Sequence, residues 1–337
     1  MPKLSKLFIS ECKKITGLVV VGQHQLLQKS KEEELAEGLL LLPPQLQELE
    51  FYDLPELMLL RPDSVDNSKG GGKGGGLQGL CSLRSLRIWK CPKLLPSYLS
   101  SSSSCFPFPT SLQTLLLNGM EGMETLAPLS NLTSLIELEI RGCGDLRGEG
   151  LWRLLAQGCL TQLTVGLTPN FFAGFVAPDA VCSSKLQSLQ VEDVGIAGFL
   201  DARICRFLSS SLTKLLLQTD EKIERFTTQQ EEALQLLTSL QQLHFWGWSK
   251  LRYLPGGLNR LPKLTELWIY KCPVVCSFPD LPDSLQELLI VMCPSIRTLP
   301  KSGLPRSLQV LNVQGADNVE LRRQCRKLKG TIPIVRA

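Results

Sequence analysis

The 337-residue sequence is poor in several features on which enzymes depend. It contains only two histidines, His24 and His244, which lie in separate regions, and its carboxylates form no convergent pair. Cys272 and Cys276 are close together, but no second Cys or His pair accompanies them at the spacing of metal ligands. The sequence therefore predicts no enzyme, no metal site and no cofactor.

Long apolar runs and strong charge are missing as well. No stretch approaches the roughly 18 apolar residues of a transmembrane helix, and the opening MPKLSKLFIS has no basic and apolar leader. The formal net charge of +4 is too small to indicate nucleic-acid binding. These absences predict no membrane span, no nucleic-acid partner and a location in the cytoplasm or nucleus.

A glycine-rich stretch at 63–76, DSVDNSKGGGKGGG, raises the question of phosphate binding. A P-loop requires a Gly-Lys pair followed by Ser or Thr, directly after a strand. Lys73 is followed by Gly74, and no suitable strand precedes it. The composition is typical of a flexible linker instead.

What the sequence does contain is a repeat. Segments 239–255, 263–275 and 284–300 share the pattern LxxLxΦxxCxxΦ, in which Φ is apolar. Leucine at the first and fourth places, with an apolar residue two further on, alternates as a strand of about five residues does. Such a strand cannot bury its apolar side alone, but a stack of copies can.

Twelve such segments follow one another along the chain. Their first leucines are 4, 46, 83, 112, 135, 160, 186, 212, 240, 264, 285 and 308. Most intervals lie near the 20 to 29 residues of a leucine-rich repeat. The sequence therefore predicts an α/β leucine-rich-repeat solenoid (a horseshoe) over 1–337 as a single domain, with a concave parallel β-sheet and an irregular, loop-rich convex side.

Residues that exceed the repeat length can only lie on the convex side, since the strands must stay paired. The long intervals therefore predict insertions near 19–45, 61–79 and 97–110. Proline after many strands disfavours long helices on that side. Apolar spacing predicts short helices only at 149–157 and 229–237.

Cysteine recurs at one place, directly after the strand. There a small, polarizable side chain can turn inward and donate weakly to a loop carbonyl. We expect these residues to be reduced structural thiols, as in the cytosol or nucleus. They are Cys12, Cys91, Cys143, Cys272 and Cys293. Trp248 occupies the same place and is predicted to lie in the core.

Alternate strand residues are expected to face the concave surface, where several are aromatic or apolar. The candidate protein-binding residues are Trp89, His244, Trp246, Trp268, Tyr270, Leu289 and Val291. A contiguous exposed patch rich in Trp and Tyr is typical of a binding site. The alternative is that the rings only stack and stabilise the sheet, at about 0.2 to 1 kcal/mol per cross-strand pair.

Charged residues form two further groups. One is an acidic series expected on the concave side nearer the N-terminus: Glu48, Glu50, Tyr52 and Asp53, together with Glu137, Glu139 and Arg141. It is either a solvated face or a means of orienting a partner. The other is Arg322, Arg323, Arg326, Lys327 and Lys329. It lies in a predicted C-terminal cap, 320–337, as a polar shell or as a contact for an anion or an acidic domain.

The repeat pattern carries CysPro at 91–92, 272–273 and 293–294, and the chain ends in LRRQCRKLKGTIPIV at 321–335. Together these resemble the C-terminal leucine-rich repeats of grass-type, coiled-coil, nucleotide-binding plant immune receptors. The resemblance implies a non-enzymatic recognition module for a pathogen effector or a host guard protein. It also implies intramolecular contact that restrains a nucleotide-binding domain, which is absent from this chain. We therefore expect a fragment or truncated product of a longer receptor.

Other classes of leucine-rich-repeat protein carry sequence features of their own. A substrate-recruiting region of a ubiquitin ligase adaptor would have an F-box ahead of the repeats, and none is visible. A secreted recognition protein would have several glycosylation sequons and a recurrent LxGxIP, whereas one sequon, at Asn131, and one LxGxIP match occur. A generic leucine-rich-repeat scaffold is the remaining alternative.

Overall fold

A computed structural model describes eleven stretches of the chain. They are residues 4–20, 38–59, 76–96, 106–156, 159–173, 175, 184–192, 198–218, 223–300, 302–314 and 318–337. The chain divides into two compact units. The first unit is 1–162 with 173–176, and the second is 163–172 with 177–337. The single domain expected over 1–337 stays a prediction, as do its boundaries.

The first unit contains a parallel ladder and a small separate sheet. Its strands are β1 (Lys6–Ser10), β2 (Gly17–Val20), β3 (Leu39–Leu42), β4 (Glu48–Tyr52), β5 (Ser85–Trp89), β6 (Thr114–Asn118) and β7 (Glu137–Arg141). Strands β1, β4, β5, β6 and β7 pair in parallel in that order. Strands β2 and β3 pair with each other. They occupy the two ends of the insertion expected near 19–45.

The middle of that insertion, 21–37, lies outside the described residues. So do 61–75 and 97–105, which make up most of the insertions expected near 61–79 and 97–110. The placement of these three insertions on a convex side therefore stays a prediction.

The second unit continues the same strand type. Its strands are β8 (Gln162–Gly166, which begins at the last residue of the first unit), β9 (Ser188–Glu192), β10 (Lys214–Gln218), β11 (Gln242–Trp246), β12 (Glu266–Tyr270), β13 (Glu287–Val291), β14 (Val310–Asn312) and β15 (Ile334–Arg336). Strands β9 to β15 pair in parallel in chain order. Each predicted repeat contributes one strand, and β15 adds another from residues expected to form the cap.

The leucines of the repeat form the core, as the periodicity predicted. From the second repeat onward, the first and fourth leucines are at most 3% exposed. In the first repeat Leu4 is 47% exposed and Leu7 is half-buried, whereas Ile9 is buried. Full burial of a leucine side chain contributes roughly 1.5 to 3 kcal/mol, so this ladder is the main source of stability.

Serine before the first leucine connects successive repeats. The hydroxyl of Ser111 donates to the Leu83 carbonyl at 2.7 Å, and that of Ser284 donates to the Leu264 carbonyl at 2.8 Å. In each case the acceptor is the first leucine of the preceding repeat. The polar position of the pattern therefore satisfies backbone groups at the start of the strands.

Connections between strands contain short helices and turns. In the described part of the chain the helices are α1 (Leu151–Ala156), α2 (Ala202–Leu208), α3 (Thr228–Gln235) and α4 (Val319–Lys327), and 3-10 turns occur at Ala127–Leu129 and Leu258–Arg260. Helices α1 and α3 lie where the apolar spacing predicted them. Thr227 and Gln230 form a capping box that fixes the start of α3.

A left-handed residue follows many strands of the ladder. All six non-glycine residues described with positive φ lie directly after a strand: Glu11, Asp53, Lys90, Leu167, Lys271 and Met292. Gly119, Gly142 and Gly247 occupy the same place. The Lys271 amide donates to the Val291 carbonyl at 3.0 Å, which extends the ladder by one bond. This bend then turns the next residue, the cysteine place, toward the core.

Candidate functional site

The predicted aromatic residues of the second unit do come together. His244 and Trp246 of β11 lie in register with Trp268 and Tyr270 of β12. The His244 and Trp268 rings stack, with centroids 4.3 Å apart and planes 5° from parallel. The Trp246 and Tyr270 rings are 4.7 Å apart and tilted by 56°. We call these four residues the aromatic patch.

Exposure within the aromatic patch is uneven. Trp246 is 42% exposed, whereas Trp268 and Tyr270 are half-buried. The expectation that all four face solvent is wrong for His244, which is only 7% exposed. The stacked Trp268 ring covers one side of the imidazole, and a carboxylate from the same strand as Trp268 closes another.

That carboxylate belongs to Glu266, which the sequence analysis missed. Its Oε1 lies 2.8 Å from Nε2 of His244, and its Oε2 accepts from the Gln242 side chain at 2.9 Å. Burial, together with the nearby Lys214 ammonium, lowers the pKa of His244 to about 4. Burial also raises the pKa of Glu266 above its ordinary value. At neutral pH the uncharged imidazole therefore donates its Nε2 proton to Glu266.

The signal for Glu266 was present in the sequence. It stands at the first place of β12, which faces the same side of the sheet as Trp268 and Tyr270. The aromatic and apolar candidates stand at the third and fifth places of their strands, whereas Glu266 stands at the first. Since like faces repeat every two residues, the first place belongs to the same surface.

Leu289 and Val291 extend the aromatic patch along β13. Leu289 lies in register with Trp268, and Val291 with Tyr270, and both are half-buried. The indole nitrogen of Trp268 is buried and has no acceptor among the residues that the structure describes. An unpaired buried donor is uncommon, and such groups call for an explanation where they occur.

Trp89 lies on β5 in the first unit. Its ring meets Tyr52 edge to face at 5.9 Å, and the Lys90 ammonium lies 5.8 Å from the Tyr52 ring centre. Trp89 is half-buried. Trp89 therefore packs against an aromatic neighbour within the first unit.

Three of the five carboxylates expected to make the early face acidic are paired with bases. Glu48 meets Lys6 at 2.8 Å and Glu50 meets Arg87 at 3.1 Å. Glu139 pairs with Arg141 two residues along the same strand. These surface pairs contribute little stability individually, but each balances the charge of one carboxylate. The face therefore carries both signs of charge and is not uniformly acidic.

The cysteine place behaves largely as expected. Cys91, Cys143, Cys272 and Cys293 are buried, and each thiol donates to the carbonyl of the last strand residue, at 3.3 to 3.4 Å. Cys12 makes the same bond but is exposed, so its predicted inward burial is wrong. Burial raises the pKa of Cys91 to about 11. All ten cysteines that the structure describes are free thiols.

Trp248 confirms the prediction that it substitutes for cysteine in the core. It is fully buried, and its indole N–H donates to the Leu217 carbonyl at 2.9 Å. Its ring lies 5.5 Å from Phe226 and 6.0 Å from Phe245, between ring centres. A larger donor thus replaces the weak thiol donor, and an aromatic cluster fills the additional space.

In the described part of the chain, no group of three or more His, Cys, Asp or Glu side chains is placed to hold a metal ion. Nor does any helix found there have the length and apolar character needed to cross a bilayer.

Strands of five residues that pair in parallel in chain order, above a ladder of buried leucines, define a leucine-rich-repeat solenoid. No protein-family model matches the sequence. The curated disease resistance protein RPS4B from Arabidopsis thaliana is 27% identical over 211 residues. That match covers 57% of this chain and 17% of the relative, so the chain spans only a small part of that protein's length.

Two solved structures also resemble the chain. An internalin from Listeria monocytogenes matches with a TM-score of 0.39 and 16% identity, over 82% of this chain and 77% of that one. A leucine-rich-repeat protein from Leptospira interrogans matches with a TM-score of 0.37 and 14% identity, over 98% of this chain and 89% of that one.

Proposed function

We propose that this chain is a non-enzymatic recognition module of a plant disease resistance protein. In this role it senses a pathogen effector or a host guard protein in the cytoplasm or nucleus. It also restrains a nucleotide-binding module of the same receptor. The 27% sequence identity with an Arabidopsis disease resistance protein and the resemblance of the repeats to those of grass receptors support this assignment.

The observation that carries the proposal is the aromatic patch. Trp246 and Tyr270 lie side by side at the end of two strands, and apolar Leu289 and Val291 continue the surface. Trp and Tyr are enriched among the residues that dominate interface energies, because one ring buries much area at small entropic cost. The 42% exposure of Trp246 leaves that area available to a partner.

The test uses the purified chain and a nucleotide-binding module from a grass receptor of the resembled type. Binding is measured by co-purification and titration calorimetry for the unaltered chain, Trp246→Ala and Trp152→Ala. Trp152 is a matched control, because it is half-buried on helix α1, away from the strands. A hot-spot Trp typically contributes 2 kcal/mol or more, so Trp246→Ala should weaken binding about thirtyfold.

The Trp152→Ala variant should bind as the unaltered chain does. Equal affinity of the Trp246→Ala variant and the unaltered chain would remove the aromatic patch as the contact site. A chain that binds neither this module nor any effector tested with it would remove the proposed function.

A further inference from the structure

The C-terminal end of the second unit carries a positive surface. Residues 320–337 contain six Lys or Arg residues and one acidic side chain, Glu320 in the first turn of α4. Leu321 and Cys325 anchor helix α4 in the core. Because those two side chains point inward, the basic residues of α4 lie on the opposite side, and Arg323, Arg326 and Lys327 are exposed.

Helix chemistry explains only part of this charge. Arg326 and Lys327 occupy the last turn of α4, where cations interact favourably with the helix dipole. Arg323 stands earlier in the helix, and Lys329 and Arg306 lie outside it. No ion pair with any of these five residues occurs in the part of the chain that the structure describes.

An apolar groove lies beside this surface. It has a volume of about 300 Å³, and its apolar lining includes Leu304, Pro305, Leu308, Leu328 and Ile332. Leu328 directly follows α4, between Lys327 and Lys329. Arg306 is exposed and also lines the groove. Positive charge and an apolar recess thus meet at the same place.

The size of the groove limits what it can hold. Its volume is at the low end of the roughly 300 to 1,000 Å³ typical of ligand sites, so it fits one large side chain better than a whole cofactor. Residues 321–337 contain no Phe, Trp or Tyr, which single-stranded nucleic acid would need for base stacking. A recess, in contrast to a protruding apolar ridge, also does not suit insertion into a bilayer.

We propose that this groove binds an acidic segment of a partner protein that places one large apolar side chain among Leu304, Leu328 and Ile332. The partner's carboxylates then face Arg306, Arg323, Arg326, Lys327 and Lys329. The site is separate from the aromatic patch and does not rest on the function proposed for it. Since the charges are exposed, binding depends strongly on salt.

The probe is a synthetic, fluorescein-labelled eight-residue peptide of Glu and Ser with one central Phe. Its fluorescence anisotropy is measured with the full chain at about 50 and 300 mM NaCl. Matched peptides replace Phe by Ser, or every Glu by Gln. We expect the acidic Phe peptide to bind at low salt, and each matched peptide to bind at least fivefold more weakly.

Variants of the chain locate the site. Arg306→Gln with Arg326→Gln should weaken binding, at about 1.5- to 5-fold per exposed charge. Leu304→Ser should weaken binding of the Phe peptide but leave that of the Ser peptide unchanged, because it alters only the apolar recess. Lys263→Gln is the matched control, since it removes an exposed charge elsewhere in the second unit and should change nothing. Far-UV circular dichroism verifies that each variant is folded.

Several outcomes would overturn the proposal. They are no binding of the acidic Phe peptide, equal binding of the Phe and Ser peptides, and a loss of binding in Lys263→Gln as large as that in the Arg306→Gln, Arg326→Gln variant. Tighter binding of oligothymidylate or of vesicles with anionic lipids would assign the surface to another class of partner. The Trp246→Ala variant should bind the peptide as the unaltered chain does. A negative result for the groove is therefore distinguishable from a negative result for binding at the aromatic patch.

Discussion

Replacing Trp248 by Ala should destabilise the second unit far more than replacing Trp246 by Ala, although the two residues are separated by one glycine. Trp248 is fully buried, and its N–H satisfies the Leu217 carbonyl. Trp246 is 42% exposed and contacts mainly one ring, that of Tyr270. The chain therefore offers the same substitution in two environments.

The expected magnitudes follow from burial. Truncation of a buried Trp to Ala costs about 3 to 5 kcal/mol, because a cavity remains where the ring packed against Phe226 and Phe245. The hydrogen bond from the indole to the Leu217 carbonyl is lost as well, which adds about 0.5 to 1.5 kcal/mol. For Trp246→Ala the loss is one cross-strand pair, about 0.2 to 1 kcal/mol.

Trp248→Cys is an informative third variant. It restores the residue that other repeats carry at this place, with a thiol that donates to the last strand carbonyl, as Cys272 does to Tyr270. The thiol cannot fill the space of the indole. The cost should therefore lie between those of Trp246→Ala and Trp248→Ala.

Urea unfolding followed by far-UV circular dichroism gives the midpoints, and it does not depend on tryptophan fluorescence, which these variants alter. From the highest to the lowest urea midpoint, the order should be the unaltered chain, Trp246→Ala, Trp248→Cys and Trp248→Ala. Equal shifts for Trp246→Ala and Trp248→Ala would show that the cysteine place does not turn inward, which would refute the predicted register of the repeat.

Three further predictions address other features. Lys271→Gly should raise stability by up to about 1 kcal/mol by removing a left-handed non-glycine residue. Gly142→Ala should lower stability by a similar amount, since its new Cβ meets nothing nearer than 3.8 Å and only the backbone is strained. Shifts of the urea midpoint in opposite directions for the two variants would confirm both predictions, and shifts in the same direction would contradict them. Burial lowers the pKa of His244 to about 4, so the unfolded chain takes up a proton at a higher pH than the folded chain does. The folded state should therefore lose up to about 3 kcal/mol of stability as pH falls from 6.5 to 4. His244→Gln should flatten this dependence in urea titrations at each pH, and an unchanged slope would contradict the prediction. Iodoacetamide labelling with mass spectrometry should modify exposed Cys276 and spare Cys91, whose pKa burial raises to about 11, and equal labelling would refute the burial of that thiol.

The sequence carried enough information to locate the leucine ladder. Leucine at the first and fourth places is a strong signal, because burial on one side of a strand requires it in every copy. The burial of Trp248 followed from the same register. These features depend on which side a residue faces, and alternation along a strand determines that directly.

The depth of burial on the exposed side could not be predicted in the same way. Alternation placed His244 correctly on the same face of the sheet as Trp246, yet the residue is buried. Its exposure depends on the sizes of its neighbours, Trp268 and Glu266, and on how their rotamers cover it. Such contacts between strands are not contained in the repeat pattern of one strand.

The left-handed place after the strand was missed for another reason. Residues as different as Glu11, Leu167, Lys271, Met292 and Gly247 occupy it, so composition gives no signal. The backbone hydrogen bond to the next strand favours this conformation, as between the Gly247 amide and the Tyr270 carbonyl at 2.9 Å. Strand β15 was not predicted either, because its segment TIPIVRA lacks the leucine pattern and pairs with β14 through its backbone.

The two interpretations of the aromatic patch, stacking and binding, apply to different members of it. Parallel strands place equivalent residues about 4.8 Å apart, close to the 4.3 Å separation of the His244 and Trp268 rings, so that this pair shields its own faces. The hydrogen bond to Glu266 further holds the imidazole within the sheet surface. Trp246 and Tyr270 are tilted by 56°, which leaves the Trp246 ring partly open. Binding energy should therefore concentrate at Trp246, while His244 and Trp268 hold the surface rigid beneath the partner.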